Sequence, residues 1–261
     1  MGIRAVTLVL VLMIAGTSAS AQVPCTAGAD ALGTERMLFL DAATTPQVGR
    51  KSFQQTLPLA PKEIVLTFDD GPRTITTPKI LDILKTECVR ATFFLVGQNA
   101  IAHQALARRE IAEGHTVAYH TFSHPLLNRI PLAAAKAEID RGFSSVDTAL
   151  YGKEIEPPVT RFFRFPGFAS SAALLDDLQR RGIIVFGADL WADDWIPQSP
   201  NQQLQLVLQR IKAASGGIVL FHDTKLQTAA MLPRLLRALK GGGYRIVHVI
   251  PRSVTSTLSV P

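Results

Sequence analysis

Short apolar segments of strand composition alternate along most of this chain with longer segments of helical periodicity. The first apolar segment spans residues 64–68, and the last spans residues 244–250. In the connecting segments the apolar residues recur every three or four positions, which is typical of amphipathic helices. About seven such strand–helix repeats follow one another, and this alternation predicts an α/β fold built on a parallel sheet. The number of repeats fits a barrel that closes on itself, and a doubly wound open sheet is the alternative.

The composition is that of a globular chain with one sizeable core. The 261 residues are 47% hydrophobic and carry a net charge of +6. No run of lysine or arginine exceeds two residues, so the charge is diffuse. It favours weak attraction to an anionic polymer and does not indicate binding of nucleic acid. No glycine-rich phosphate-binding motif follows any predicted strand, so a nucleotide site is not expected.

The first 21 residues are typical of a secretory signal peptide. Arg4 supplies a positive start, residues 5–15 form an almost unbroken apolar run, and Ala19-Ser20-Ala21 provides a cleavage site. The prediction is an exported protein, periplasmic or secreted, with no stable membrane span after cleavage. An uncleaved membrane anchor is the alternative, although the apolar run is short for a span.

Export would place the two cysteines, Cys25 and Cys88, in an oxidising compartment. No CxxC spacing exists, so they do not resemble metal ligands. A disulfide between them and a pair of buried free thiols are both open at this point.

Polar clusters follow the predicted strands at the point where each strand ends. In parallel α/β barrels the loops at the carboxyl ends of the strands build the active site, so such clusters would converge on one pocket. The clusters are Asp69-Asp70, residues 120–124, residues 164–168, residues 189–195 and His222-Asp223.

The first two clusters indicate a metal site. Asp69 and Asp70 lie side by side before a Gly-Pro turn, and two adjacent carboxylates repel each other unless a cation lies beside them. His120 and His124, at positions i and i+4, can contact one ion, but the Glu of an HExxH motif is missing between them. Asp70 is therefore the natural third ligand and Asp69 the natural base. A merely solvated turn is the alternative.

The other clusters would complete a catalytic pocket. His222 ends an apolar run, and Arg164 lies among aromatic residues where it could pair with a carboxylate across the pocket. A hydrogen-bonded structural histidine and a structural ion pair are the alternatives. Trp191 and Trp195 lie among acids, and such rings stack on sugar faces but are also ordinary packing residues.

Five motifs in this order, TFDDGP, HTFSH, RFP, DDW and LFH, resemble those of the polysaccharide deacetylases of the NodB-homology type, carbohydrate esterase family 4. The resemblance extends over residues 63–250. It implies a distorted (β/α) barrel with fewer than eight repeats, so the expected fold is a distorted (β/α)7-type barrel. The expected domains are a signal peptide (1–21), an N-terminal extension (22–62), the deacetylase domain (63–250) and a C-terminal tail (251–261).

The resemblance also implies roles for individual residues. A divalent metal, usually Zn2+, would be held by Asp70, His120 and His124; two nitrogens and one oxygen also suit Co2+, Ni2+ or Mn2+. The remaining implied roles are Asp69 as general base, His222 as general acid, Arg164 orienting Asp69, Asp194 orienting His222, the Gly167 N–H facing the oxyanion, and Phe168 and Trp195 contacting substrate.

Two motifs depart from the family pattern. Gly167 stands where an aromatic residue is usual, so the aromatic wall would be missing or supplied by Phe168. Trp191 stands where the fourth motif often has its first Asp, and Asp189 or Asp193 could substitute for it.

The function implied is a metal-dependent hydrolase that removes N-acetyl groups from a polysaccharide or oligosaccharide, such as peptidoglycan or a chitin-like polymer, and releases acetate. Removal of O-acetyl groups is a close variant. The bond broken is an amide that is not a peptide bond. The alternative is a catalytically silent, sugar-binding member of the same fold.

Overall fold

The computed structural model describes residues 30–252. The predicted signal segment, Cys25 and the residues after 252 lie outside this range. Cys88 is disulfide-bonded, and Cys25 is the only other cysteine of the sequence. Within the described range, no helix combines the length and apolar character that crossing a membrane requires.

Ten strands and seven α-helices make up the described chain. The strands are β1 (Arg36–Leu40), β2 (Gln47–Val48), β3 (Glu63–Asp69), β4 (Thr92–Leu95), β5 (Thr116–Tyr119), β6 (Phe162–Phe163), β7 (Ile184–Phe186), β8 (Leu190–Trp191), β9 (Gly217–His222) and β10 (Arg245–Pro251). The helices are α1 (Thr77–Thr86), α2 (Gly97–Ala102), α3 (Gln104–Ala112), α4 (Leu132–Tyr151), α5 (Ala172–Arg180), α6 (Pro200–Ala214) and α7 (Leu226–Gly241). Two short 3-10 helices, Leu127–Arg129 and Pro166–Phe168, follow β5 and β6.

The sheet is parallel and barrel-like, which confirms the expected α/β fold. Strand β3 is buried along its whole length and pairs with β4 on one side and with β9 on the other. From β4 the sheet continues through β5, β6 and β7, and β8 pairs with β9 at the other end. No pairing joins β7 to β8 within the described residues, so the barrel is open there. Only residues 187–189 link these strands, whereas neighbouring parallel strands need a crossover of about a dozen residues.

The N-terminal extension contributes strands of its own. Strand β1 pairs with β10, and β2 pairs with β7. No strand forms over residues 52–57. The N–H groups of Ser52 and Phe53 both bond the carbonyl of Gly49, which closes a turn in place of a strand.

Side-chain alternation along the central strands separates two apolar layers. Leu66 and Phe68 of β3 belong to the larger core cluster, shared with the helices, whereas Val65 belongs to a smaller cluster with Phe94 and Phe186. Because the side-chain period of a strand is two, Asp69 lies on the same face as Val65. The strand therefore directs the carboxylate of Asp69 to the face that carries the smaller cluster.

Two buried histidines lie outside the pocket and depend on being neutral. The His115 Nδ1 accepts the N–H of Ala91 at 3.1 Å, and the His248 Nε2 lies 2.9 Å from the Thr116 hydroxyl oxygen. The other nitrogen of each ring has no partner. Burial lowers the pKa of His115 to about 3 and that of His248 to about 4.

We expect these histidines to make the fold less stable in acid. The unfolded chain takes up protons at both rings below the ordinary pKa of 6.5, whereas the folded chain does not. The two histidines therefore leave the free energy of unfolding at its full value above pH 6.5. That free energy decreases as the pH falls, by about 2 kcal/mol for each histidine at pH 5. Urea denaturation at pH 7 and pH 5 should show a smaller pH effect in His248→Gln than in the wild type. His103→Gln is the control, and an unchanged pH effect in His248→Gln would contradict the assignment.

Candidate active site

The carboxyl ends of the parallel strands bring the polar clusters of the sequence to one cavity of about 400 Å3. Asp69 ends β3, and the strand register places it directly beside His222 of β9. His120 follows β5, and Arg164 follows β6. The cavity is lined by Asp69, Asp70, His120, His124, Phe165, Gly167, Phe168, Trp191, Trp195, Leu220, His222 and Lys225.

A buried ion pair fixes Asp69. Arg164 is completely buried and donates from Nη1 to Asp69 Oδ1 at 2.7 Å and to the Thr67 hydroxyl at 2.9 Å. Its other nitrogens donate to the carbonyls of Gly187 (2.8 Å) and Phe186 (3.3 Å). A buried guanidinium is costly unless it is paired and hydrogen-bonded, and this one meets both conditions. Asp69 Oδ1 is thus occupied, whereas Oδ2 faces His120 Nε2 at 3.8 Å.

Asp70, His120 and His124 point their ligand atoms at a common region, where these atoms all lie within 4.8 Å of one another. Asp70 Oδ1 is 3.5 Å from His120 Nε2 and 3.2 Å from His124 Nε2. The same oxygen is buried and has no partner in hydrogen-bond geometry. Burial alone would raise the pKa of Asp70, but the two imidazoles outweigh it and lower that pKa well below its usual range.

The turns that present these ligands are held in uncommon backbone conformations. Asp70, Thr121 and His124 all have positive φ, at 75°, 63° and 65°. Non-glycine residues in this region are strained and persist only where their surroundings hold them. The Asn99 side chain bonds the Asp70 carbonyl at 2.8 Å, and the Thr121 hydroxyl accepts the His124 N–H at 3.0 Å.

The hydrogen bonding of His120 leaves its inner nitrogen free to ligate. Its Nδ1 lies 2.7 Å from the Arg164 carbonyl oxygen. A carbonyl can only accept, so Nδ1 donates to it, and Nε2 is the nitrogen that faces Asp70. Metal-binding histidines characteristically use their second nitrogen in this way. Two imidazole nitrogens and an otherwise unpartnered carboxylate oxygen fit a divalent cation such as Zn2+, with positions left open for other ligands.

His222 is held by a second buried acid, Asp194. Asp194 Oδ1 accepts from His222 Nδ1 at 2.7 Å, and its Oδ2 accepts the His222 backbone N–H and the Thr228 hydroxyl, both at 2.7 Å. Burial opposes the charging of His222, but Asp194 outweighs it and raises the pKa of the histidine to about 9. The Nε2 of His222 is left facing Asp70 Oδ2 at 3.9 Å.

Aromatic rings form one wall of the cavity. Trp195 meets the His222 ring edge-on at 5.7 Å, Trp191 lies 6.3 Å from Trp195, and Phe168 stacks on Trp191 at 6.1 Å. Gly167 has φ 56°, and a Cβ there would lie 2.8 Å from a Leu126 methyl carbon. A side chain there would be strained and would displace the Leu126 methyl group, which favours glycine at that position, and the aromatic ring beside it comes from Phe168, one residue later.

Asp189 and Asp193 do not join the site. Asp189 accepts hydrogen bonds from the Thr56 hydroxyl (2.7 Å), the Ile218 N–H (2.8 Å) and the Arg50 N–H (3.0 Å). Asp193 pairs with Arg210 at 2.6 Å. Both acids are taken up by these bonds, and neither lines the cavity.

Sequence reasoning missed three groups that support the site. Thr67 bonds Arg164, Thr228 bonds Asp194, and Lys225 lines the cavity. Thr67 had a signal, because it lies two residues before Asp69 and therefore on the same face of the strand. The other two come from α7 and the turn before it, and no local pattern marks them.

Comparison with known proteins agrees with this geometry. The family model described as polysaccharide deacetylase matches residues 57–185. Over 188 residues the chain is 33% identical to the peptidoglycan-N-acetylglucosamine deacetylase PgdA of Listeria monocytogenes, covering 72% of this chain and 38% of that protein. It thus spans well under half the length of that relative.

Two further proteins match most of this chain, one in sequence and one in structure. A chitooligosaccharide deacetylase of Sinorhizobium fredii is 31% identical over 203 residues, with 73% of this chain and 91% of that protein covered. The solved structure of a peptidoglycan deacetylase of Bdellovibrio bacteriovorus superposes with a TM-score of 0.75 at 29% identity, covering 87% of this chain and 62% of that one. The five ordered motifs, the barrel-like sheet and these matches together show that the chain belongs to the polysaccharide deacetylase family.

Proposed function

We propose that this protein is a metal-dependent hydrolase that removes N-acetyl groups from polymers or oligomers of N-acetylglucosamine, such as peptidoglycan or chitin-like chains, and releases acetate. One observation carries the proposal. Asp69 and His222 face the ligand set of Asp70, His120 and His124 from different strands. Asp69 Oδ2 lies 3.8 Å from His120 Nε2, and His222 Nε2 lies 3.9 Å from Asp70 Oδ2. A base and an acid that flank one ligand set are what hydrolysis of an amide requires, and a binding module needs neither.

Asp70, His120 and His124 would hold the metal, for which Zn2+ is the first choice and Co2+, Ni2+ and Mn2+ are the alternatives. When bound, a divalent cation lowers the pKa of water and polarises a carbonyl oxygen. Asp69 would take the proton of the attacking water through Oδ2. Arg164 holds Oδ1 and so aims the free oxygen into the cavity.

The backbone N–H of Gly167 would face the oxyanion that develops on the acetyl carbonyl. One such donor typically contributes about 3 kcal/mol to stabilising the transition state. Phe168 and Trp195 would pack against the acetyl group and the sugar.

His222 would donate the proton that the departing amine needs, because an amine anion is a very poor leaving group. Asp194 keeps the ring charged at neutral pH and directs its Nε2 into the cavity. An ester leaves more easily, so removal of O-acetyl groups would depend less on His222. Together with the predicted signal peptide, this chemistry fits an exported protein that acts in the periplasm or outside the cell.

Chelation followed by zinc addition tests the function directly. We expect the chelated protein to release no acetate from N-acetylglucosamine oligomers or peptidoglycan, and zinc to restore release. Acetylxylan is the comparison substrate for the O-acetyl variant. Stoichiometric zinc binding without acetate release from any of these substrates would contradict the proposal and favour the silent sugar-binding alternative.

Asp69→Asn separates the base from the metal ligands. The amide oxygen can still accept from Arg164, but it cannot take a proton, so kcat should fall by at least about 100-fold. Bound zinc, measured by atomic absorption, should stay near one equivalent. Asp70→Asn is the matched comparison in which we expect zinc to be lost, and loss of zinc from Asp69→Asn would overturn the assignment of the base.

Asp194→Asn tests the assignment of the acid through pH dependence. His222 can donate only while it is protonated, so activity should fall as the pH rises through about 9. Removing the Asp194 charge lowers the pKa of His222, and the alkaline limb of kcat/KM should move to lower pH. The neighbouring variant Asp193→Asn loses a carboxylate that pairs with Arg210, and we expect its limb to match that of the wild type. An unmoved limb in Asp194→Asn would exclude His222 as the acid.

A further inference from the structure

The N-terminal extension places a lysine over the aromatic wall of the active site. Lys51 is exposed, and its Nζ lies 4.8 Å from the ring centroid of Trp191. Trp191 in turn neighbours Trp195, which meets His222. A continuous row of side chains therefore runs from the proposed acid to a cation contributed by a different part of the chain.

The segment that carries Lys51 is firmly attached. The Lys51 N–H bonds the Ala188 carbonyl at 2.9 Å, and the Gly187 N–H bonds the Val48 carbonyl at 2.6 Å. A Cβ on Gly49 would lie 2.5 Å from the Ala188 nitrogen, so the two backbones are as close as glycine allows. Lys51 is thus held over the ring of Trp191, which lines the cavity, and is not borne on a free tail.

The unpaired charges around Trp191 are mainly positive. The acids flanking Trp191 are taken up internally, Asp189 by backbone and hydroxyl donors and Asp193 by Arg210. Lys51 has no carboxylate partner among residues 30–252. Lys225 lines both the catalytic cavity and a neighbouring cavity of about 660 Å3, and it also lacks an ion pair within that range.

The neighbouring cavity extends the cationic surface away from Trp191. It shares Asp70 and His124 with the catalytic cavity and is bordered by the exposed Arg73. Cationic side chains therefore lie over Trp191 (Lys51), in both cavities (Lys225) and in the neighbouring cavity (Arg73). Since the whole chain has a net charge of +6, nothing in its overall charge opposes an anionic substrate.

We propose that Lys51 is a specificity-determining residue, which makes this protein prefer acetylated glycans that carry carboxylate substituents over neutral glycans of the same length. The inference rests on the proposed deacetylase function and narrows its substrate class. The exposed ring of Trp195 offers an apolar surface for a sugar, and the ammonium over the neighbouring Trp191 offers a charge to a carboxylate on that sugar. A neutral chitin-like chain would use the ring and leave the ammonium unpaired.

The test compares two tetramers with the zinc-loaded protein. One is the tetramer of N-acetylglucosamine. The other alternates N-acetylglucosamine with N-acetylmuramic acid, so that every second sugar carries a lactyl carboxylate. We expect wild-type kcat/KM for acetate release to be higher for the charged tetramer. Lys51→Gln should lower that value by about three- to fivefold, as expected for an exposed ion pair, and leave the value for the neutral tetramer unchanged.

Two variants and a salt series sharpen the result. Lys51→Arg keeps the charge and stacks on a ring, so it should retain the preference. Lys153→Gln changes an exposed lysine that lines neither cavity and should leave both values unchanged. The preference should shrink with added salt, because the screening length falls from about 10 Å at 0.1 M to about 3 Å at 1 M.

Calorimetric binding of both tetramers separates the inference from the proposed function. The inference would be overturned if wild-type kcat/KM were equal for the two tetramers, or if Lys51→Gln lowered kcat/KM equally for both. In either case the release of acetate would still uphold the proposed function. If no acetate were released, Lys51-dependent tighter binding of the charged tetramer would uphold the specificity and refute the hydrolase. Equal binding and no release would refute both.

Discussion

The buried pair of Arg164 and Asp69 is the interaction on which the rest of the site depends. An uncompensated guanidinium inside a barrel would be strongly destabilising, so each of its nitrogens must find an acceptor. It finds them in the side chains of Asp69 and Thr67 and in two carbonyls at the end of β7. These bonds join the central strand β3 to the end of β7 across the open sheet. They also decide which oxygen of Asp69 remains free for chemistry.

The two histidines His120 and His222 are held in a similar way, each through one ring nitrogen. The Nδ1 of His120 bonds the Arg164 carbonyl, and the Nδ1 of His222 bonds Asp194. Each ring then presents a single nitrogen to the cavity. Asp70 is different, because its buried Oδ1 has no hydrogen-bond partner although two imidazoles lie within 3.5 Å. Buried polar atoms rarely lack a partner, and a cation bound by Asp70, His120 and His124 would supply one for this oxygen.

The N-terminal extension contacts the aromatic wall of the cavity only because it pairs with β7. Sequence reasoning assigned no chemistry to residues 22–62, since their composition is irregular and their strands are short. Pairing of β2 with β7 and the close approach of Gly49 to Ala188 bring Lys51 over Trp191. A departure in the fourth motif, Trp191, and a segment without a recognisable motif thus meet at one point beside the cavity.

The alternation of strands and helices and the polar motifs at the strand ends followed from the sequence, because side-chain period and turn chemistry are local properties. The parallel α/β architecture and the grouping of Asp69, Asp70, His120 and His222 could be predicted for that reason. Only the tertiary structure decided which acids serve the site. Asp194 bonds His222, whereas Asp189 and Asp193, in the same short run, are bound to other elements. It also decided that the barrel stays open and that Lys51 lies over Trp191. Such outcomes depend on contacts between segments far apart in the chain, and a local pattern carries no information about which distant partner a charged side chain will meet.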